Sequence, residues 1–121
     1  MKRNAARERR ILDEIIVDAR PEEQAIGWYY YLERVLAFPF PARCRVARAT
    51  SPLRGGERVT VIGMAPEEEC EHEMVVRIRW MNWRLAVPLA QLDVRGARDV
   101  GAATREAVAD WHYWLGQGCE L

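Results

Sequence analysis

The hydrophobic period changes twice along this chain, and those two changes constrain the fold more than any single motif. Apolar residues recur at helical spacing to about Ala37, alternate from about Ala42 to Val94, and return to helical spacing after Gly96. A 3.6-residue period buries one stripe of a helix, whereas a two-residue period buries one face of a strand. The chain therefore reads as α+β: two helices, an antiparallel sheet over about 42–95, and a closing helix. At 121 residues it reads as one domain with a hydrophobic core of its own.

The first helix is expected over about 5–19. Asn4 is placed as its N-cap, and Ile11, Leu12, Ile15, Ile16 and Ala19 form the apolar stripe. Arg7, Glu8, Arg9 and Arg10 read as its solvated face. The second helix, about 21–37, opens on Pro21, tolerated in a first turn, with Glu22 and Glu23 complementing the helix dipole. Asp18, Glu22 and Glu23 make a small acidic corner around Arg20, read as helix capping. Ala25, Trp28, Tyr29, Leu32, Val35 and Leu36 supply the buried face. Four consecutive aromatics, Trp28 to Tyr31, go all round one turn, so one of them is left for solvent or a partner. Phe38 precedes Pro39 and is pushed out of helical backbone, which stops the helix.

Alternation then gives strands containing Cys44 and Val46, Val59 and Val61, Val76, Ile78 and Trp80, and Trp83, Leu85 and Val87. Met81-Asn82 between two tryptophans reads as a tight hairpin turn, and Pro88 to Leu92 as a 3₁₀-like turn before a last short strand at Asp93-Val94. Short strands with this punctuation suggest a small five-stranded SH3-like barrel. A third amphipathic helix, about 100–115, carries Ala103, Ala107, Val108, Trp111, Trp114 and Leu115, with Gly116 as its stop. Trp28, Tyr29, Trp111 and Trp114 are expected to meet in the core with Phe38 or Phe40.

Between the second and third strands lies the chain's densest charge. Glu67, Glu68, Glu69, Glu71 and Glu73 put five carboxylates in seven positions with no Lys or Arg among them. Pinned at both ends by strands, such a run repels itself unless solvent, neighbouring arginines or a hard cation offsets the charge. Ca²⁺ takes about 6–8 oxygen ligands, chiefly carboxylates, carbonyls and water. These five glutamates are the candidate metal ligands, set against the reading of a plain solvated loop. The EF-hand pattern is absent. Cys70 and His72 offer two zinc donors where a structural site wants four.

Other chemistry finds little support. His72 and His112 have no nucleophile motif beside them, and Gly55-Gly56 lacks the continuation of a phosphate loop. No enzymatic activity is expected. The three cysteines, Cys44, Cys70 and Cys119, are odd in number and widely spaced, which fits reduced thiols. With no apolar run of membrane length and no signal-peptide core, the expectation is a cytoplasmic protein without membrane contact. Net charge is zero, but residues 1–60 carry an excess of four positive charges and residues 61–121 the matching negative excess. Arg43, Arg45, Arg58, Arg77, Arg79 and Arg84 would share an outward sheet face. The alternative function is thus an SH3-like interaction module that binds nucleic acid or a protein through that basic face. Such arginines are also common for solubility and cross-strand pairing, so a protein partner is kept open and nucleic acid is not the expected partner.

Several segments also carry a resemblance. Gly27 to Glu33, Phe38-Pro39-Phe40, Val61 to Pro66 with Glu67 to Met74, Val87 to Leu92, and Ala109 to Trp114 resemble the bacterial family of the cyanobacterial calcium-binding protein. The resemblance runs from about Ile11 to Gly118. It implies a small cytosolic protein that binds Ca²⁺ without an EF-hand and buffers or senses it. The departure is charge: the best-known member is strongly acidic, whereas this chain is neutral and has Arg20 at the inter-helix corner.

Overall fold

A computed structural model describes residues 4–17, 20–49 and 51–116. Asn4 starts α1 (Ala5–Arg10) by accepting the Arg7 amide at 3.0 Å, as a short oxygen-bearing side chain does at an N-cap. The helix then widens into a π turn, Ile11–Ile15, closed by the Ile16 amide donating to the Ile11 carbonyl at 3.0 Å. The single helix expected over 5–19 is therefore cut short, and Asp18 and Ala19 lie outside the described residues. An i→i+5 ladder sets Ile11 beneath Ile16. Both are buried with Ile15, while Leu12, expected in the stripe, is 56% exposed.

Helix α2 (Pro21–Val35) begins on its proline and ends as Leu36 turns extended. It crosses the π turn at very short range: a Cβ on Gly27 would sit 2.5 Å from the Ile15 carbonyl oxygen. Only glycine allows that backbone approach. Its buried face is Ala25, Trp28, Tyr29, Tyr31 and Leu32, and Tyr30 is the aromatic left outside.

The sheet contains β1 (Phe40–Cys44), β2 (Arg58–Met64), β3 (Val75–Trp80), β4 (Trp83–Pro88) and β5 (Leu92–Asp93). Every pairing is antiparallel, in the order β4-β3-β2-β1-β5, and the sheet curls into a half-barrel. Trp80 pairs with Trp83 across the two-residue turn, where Met81 takes a φ of 56°. Alternation buries Val59, Val61, Val76, Ile78 and Val87 as expected. Trp83 departs from it, 67% exposed at the start of edge strand β4. Val46 also falls outside its expected strand, because β1 stops at Cys44. A 3₁₀ turn, Leu89–Gln91, leads into β5, and α3 (Ala102–Gly116) closes the chain's described part.

Helix α2 packs against α3 and against β2, and α3 against the 3₁₀ turn before β5. Trp28 packs edge-on to Trp111 with centroids 5.0 Å apart and lies 6.0 Å from Trp114. Phe40 is buried and stacks with Phe38 at 5.7 Å. Polar pinning accompanies this packing. Asp110 of α3 is wholly buried, and its carboxylate accepts from Arg7 at 2.6 Å, Arg10 at 2.6 Å and the Tyr31 hydroxyl at 3.0 Å. Arg7 and Arg10 are thus anchors rather than the solvated helix face expected of them. The paired carboxylates raise the Arg10 pKa above its usual value, against the opposing effect of burial.

Candidate metal centre

The acidic run sits on a firm base. Strands β2 and β3 approach each other below it, and the Ala65 amide donates to the Val75 carbonyl at 3.0 Å. The Tyr29 hydroxyl, buried on α2, donates to the Ala65 carbonyl at 2.9 Å. Burial pushes the Tyr29 pKa up to about 12, with the Glu33 carboxylate adding to the effect. Cys70 points inward, its thiol donating to the Val75 carbonyl while its sulfur accepts the Val75 amide. Burial raises that thiol's pKa. Cys70 is therefore a structural thiol committed to backbone, and His72 is exposed, so the two do not form a zinc pair.

On this base the backbone makes a 3₁₀ turn, Glu67–Cys70, with Pro66 at its entry and the Glu69 amide donating to the Pro66 carbonyl at 2.9 Å. In 3₁₀ geometry residues three apart eclipse one another. The same ridge that buries Cys70 carries Glu67, and Glu68 shares the next ridge with Glu71. Glu67, Glu68, Glu69 and Glu71 are all exposed. Glu73 is half-buried, and both its carboxylate oxygens accept from one guanidinium nitrogen of Arg48 at 3.0 and 3.2 Å. Glu67 accepts from the Tyr30 hydroxyl at 3.1 Å, and that bond with the carboxylate charge raises the Tyr30 pKa.

The turn thus keeps the five sequence-predicted carboxylates in one segment without assembling them into a shell. Among the described residues, no three Asp, Glu, His or Cys side chains converge as a metal-holding group. The donors fit Ca²⁺ in kind, being hard carboxylate oxygens, four of the five on exposed side chains. Three neighbours are not singled out as part of this site by sequence reasoning: Tyr30 and Glu33 on α2, and Arg48 before β2. Only Tyr30 carries a signal, as the one aromatic of its turn with no room in the core. In the acidic inter-helix corner, Asp18 and the Glu22 side chain lie outside the described residues.

The fold is a small α+β module that displays an acidic turn between two strands of its sheet. A family model described as calcium binding, that of CcbP, matches residues 9–115, so the chain belongs to the CcbP calcium-binding family. Two solved structures are similar over nearly all of both chains. The crystal structure of Anabaena CcbP is 39% identical, with a TM-score of 0.85 over 100% of this chain and 98% of that one. A structure described as a calcium-binding protein in the calcium-binding form is also 39% identical, with a TM-score of 0.84 over 98% of this chain and 96% of that one. Among curated proteins, none matches. Of the described residues, no helix is long and apolar enough to cross a membrane.

Proposed function

We propose that this protein binds Ca²⁺ through the β2–β3 turn and acts as a cytoplasmic buffer or sensor of the ion without enzymatic activity. The observation that carries the reading is membership of a calcium-binding family over residues 9–115. Exposed Glu67, Glu68, Glu69 and Glu71 supply carboxylates, Glu73 joins them by exchanging Arg48 for the cation, and backbone carbonyls and water complete the shell. Relief of repulsion among the five carboxylates favours binding. Nothing in the family favours the alternative of an interaction module using the basic sheet face.

Calorimetry on metal-free protein tests the reading directly. Saturable Ca²⁺ heat is expected, with Mg²⁺ competing poorly because it demands a smaller octahedral shell. Replacing Glu67, Glu68, Glu69 and Glu71 by Gln should abolish that heat. At a hundredfold excess over Kd, Ca²⁺ should stabilise the unmodified fold by about 2.7 kcal/mol. A flat trace with an unmoved melting temperature rejects the proposal.

Buffer and sensor separate on Tyr30. If Ca²⁺ takes Glu67 away from the Tyr30 hydroxyl, the tyrosine pKa falls back toward its ordinary value of 10.0 and the link from turn to α2 is broken. A Ca²⁺-dependent downward shift of the Tyr30 ultraviolet titration, assigned by Tyr30→Phe, supports sensing. Binding without that shift supports buffering.

A further inference from the structure

At the far end of β2 from the acidic turn, about 20 Å away by strand geometry, the charge is reversed. Arg43 on β1 and Arg58 on β2 stand directly opposite in the sheet register, two like charges at paired positions. Such an arrangement is destabilising unless something neutralises it. Both line a cavity of about 480 Å³ together with Arg95, Arg98, Asp93 and Asp99. Four guanidinium groups against two carboxylates leave two positive charges. Arg95 takes Asp93 at 2.7 Å, while Arg43, Arg58 and Arg98 form no ion pair among the described residues.

The far wall of this cavity is a built loop. Arg105, reaching back from α3, donates to the carbonyls of Val94 and Val100 at 2.9 and 3.1 Å and also to that of Ala97. The Ala97 amide closes a turn onto the Val94 carbonyl at 3.1 Å, and the Asp93 carboxylate accepts the Arg95 amide at 2.9 Å. One guanidinium therefore fixes the segment that presents Arg95 and Arg98 toward Arg43 and Arg58.

We propose that this cavity binds the phosphate group of a small phosphorylated molecule. Guanidinium forks match phosphate oxygens in pairs, which ammonium groups and single hydroxyls do not. A phosphate monoester carries close to two negative charges at neutral pH, equal to the charge left uncompensated here. The volume exceeds what phosphate alone fills and lies within the range of small-molecule sites, leaving space for an organic group beside Pro41 and Ala97.

Calorimetric titration of metal-free full-length protein with inorganic phosphate, at constant ionic strength, tests the site. One saturable event per chain is expected, weakened roughly tenfold or more by Arg43→Ala with Arg58→Ala, since each removes charge-assisted bonds. Arg98→Ala should weaken it too, while Arg84→Ala, on the same sheet but outside the cavity, should not. The double variant should fold, because its side chains are exposed and the opposed charges disappear. Phenyl phosphate binding more tightly than inorganic phosphate identifies a phosphomonoester as the ligand; equal binding identifies the free anion. Heat that fails to saturate, that chloride at equal ionic strength reproduces, or that Arg84→Ala diminishes equally overturns the proposal. So does oligonucleotide binding that inorganic phosphate fails to displace, which would make the face a polyanion surface instead.

Discussion

Two acidic features of this molecule use the same chemical group to opposite ends. Asp110 is a single carboxylate with no exposure, held by two arginines and a tyrosine that come from α1 and α2. The β2–β3 turn displays five carboxylates, four of them exposed, with one tyrosine and one arginine as their polar side-chain partners among the described residues. A buried charge whose lone pairs are all taken can only lose by change, so it acts as a pin between elements. Carboxylates left in water beside one another keep their affinity for whatever cation arrives. Charge density alone does not distinguish pin from site; saturation of the partners does.

The largest expected effect lies on the pin. Asp110→Asn leaves two guanidinium groups without their buried counter-charge, and breaking such a pair by removing one partner costs about 3–5 kcal/mol. Chemical denaturation should show a loss of that order, with α1 the first element to lose hydrogen-exchange protection. Calcium heat should survive wherever the variant remains folded. A variant as stable as the parent would mean that Arg7 and Arg10 are satisfied by Glu106 alone, which each reaches at 3.1 Å.

How much of this contrast the sequence reveals depends on whether a partner is local. Period and turn residues place the sheet, the Met81-Asn82 hairpin and the 3₁₀ turn before β5, because each follows from neighbouring residues. The meeting of Trp28 with Trp111 and Trp114 follows from two apolar helix faces sharing one core. The acidic turn is equally visible as a run. The Arg7 and Arg10 contacts to Asp110 join residues about a hundred positions apart, and an Arg-rich first turn looks the same whether solvated or anchored. The π turn escapes for a different reason: Ile11, Ile15 and Ile16 fit an α-helical stripe as well as an i→i+5 one. Trp83 sits at the start of an edge strand, where alternation continues but burial does not. Arg48 holding Glu73 has no signal at all, since it lies in an irregular segment before β2.

A smaller effect is expected at His112, which stands between the two extremes. Its Nδ1 lies 3.3 Å from an Arg45 guanidinium nitrogen, and burial followed by the Arg45 charge lowers its pKa from 6.5 to about 4, against weaker opposing contributions from the Leu89 carbonyl and Asp93. A depressed histidine pKa favours the neutral form in the fold, so the unfolded chain takes the proton first. Stability from this group is therefore complete above pH 6.5 and lost as pH falls toward 4. The loss should be on the order of 3 kcal/mol across that window, since each pH unit between the two pKa values is worth about 1.4 kcal/mol. Stability measured by denaturant at a series of pH values should show the slope, and His112→Gln should flatten it. An unchanged slope would assign acid sensitivity to the carboxylates instead.

The smallest effect is expected on the site itself, and it is the sharpest test of the contrast. Gln in place of Glu67, Glu68, Glu69 and Glu71 removes four negative charges from the metal-free turn and keeps side-chain size. The amide carbonyl introduced by Glu67→Gln can still accept from the Tyr30 hydroxyl, and Glu73 keeps its pair with Arg48. Exposed substitutions of this kind usually stay within about 0.5 kcal/mol, and here the sign should be positive because like charges cease to repel. Low salt should enlarge the gain, since screening at physiological ionic strength already weakens exposed charges beyond about 8 Å. Adding Glu73→Gln should then cancel part of the gain, as a half-buried pair with Arg48 is worth up to about 1 kcal/mol. A metal-free protein that instead loses more than about 1 kcal/mol on the fourfold change would show that these carboxylates pin the turn as Asp110 pins the helices. The distinction between an occupied charge and an available one would then fail in this fold.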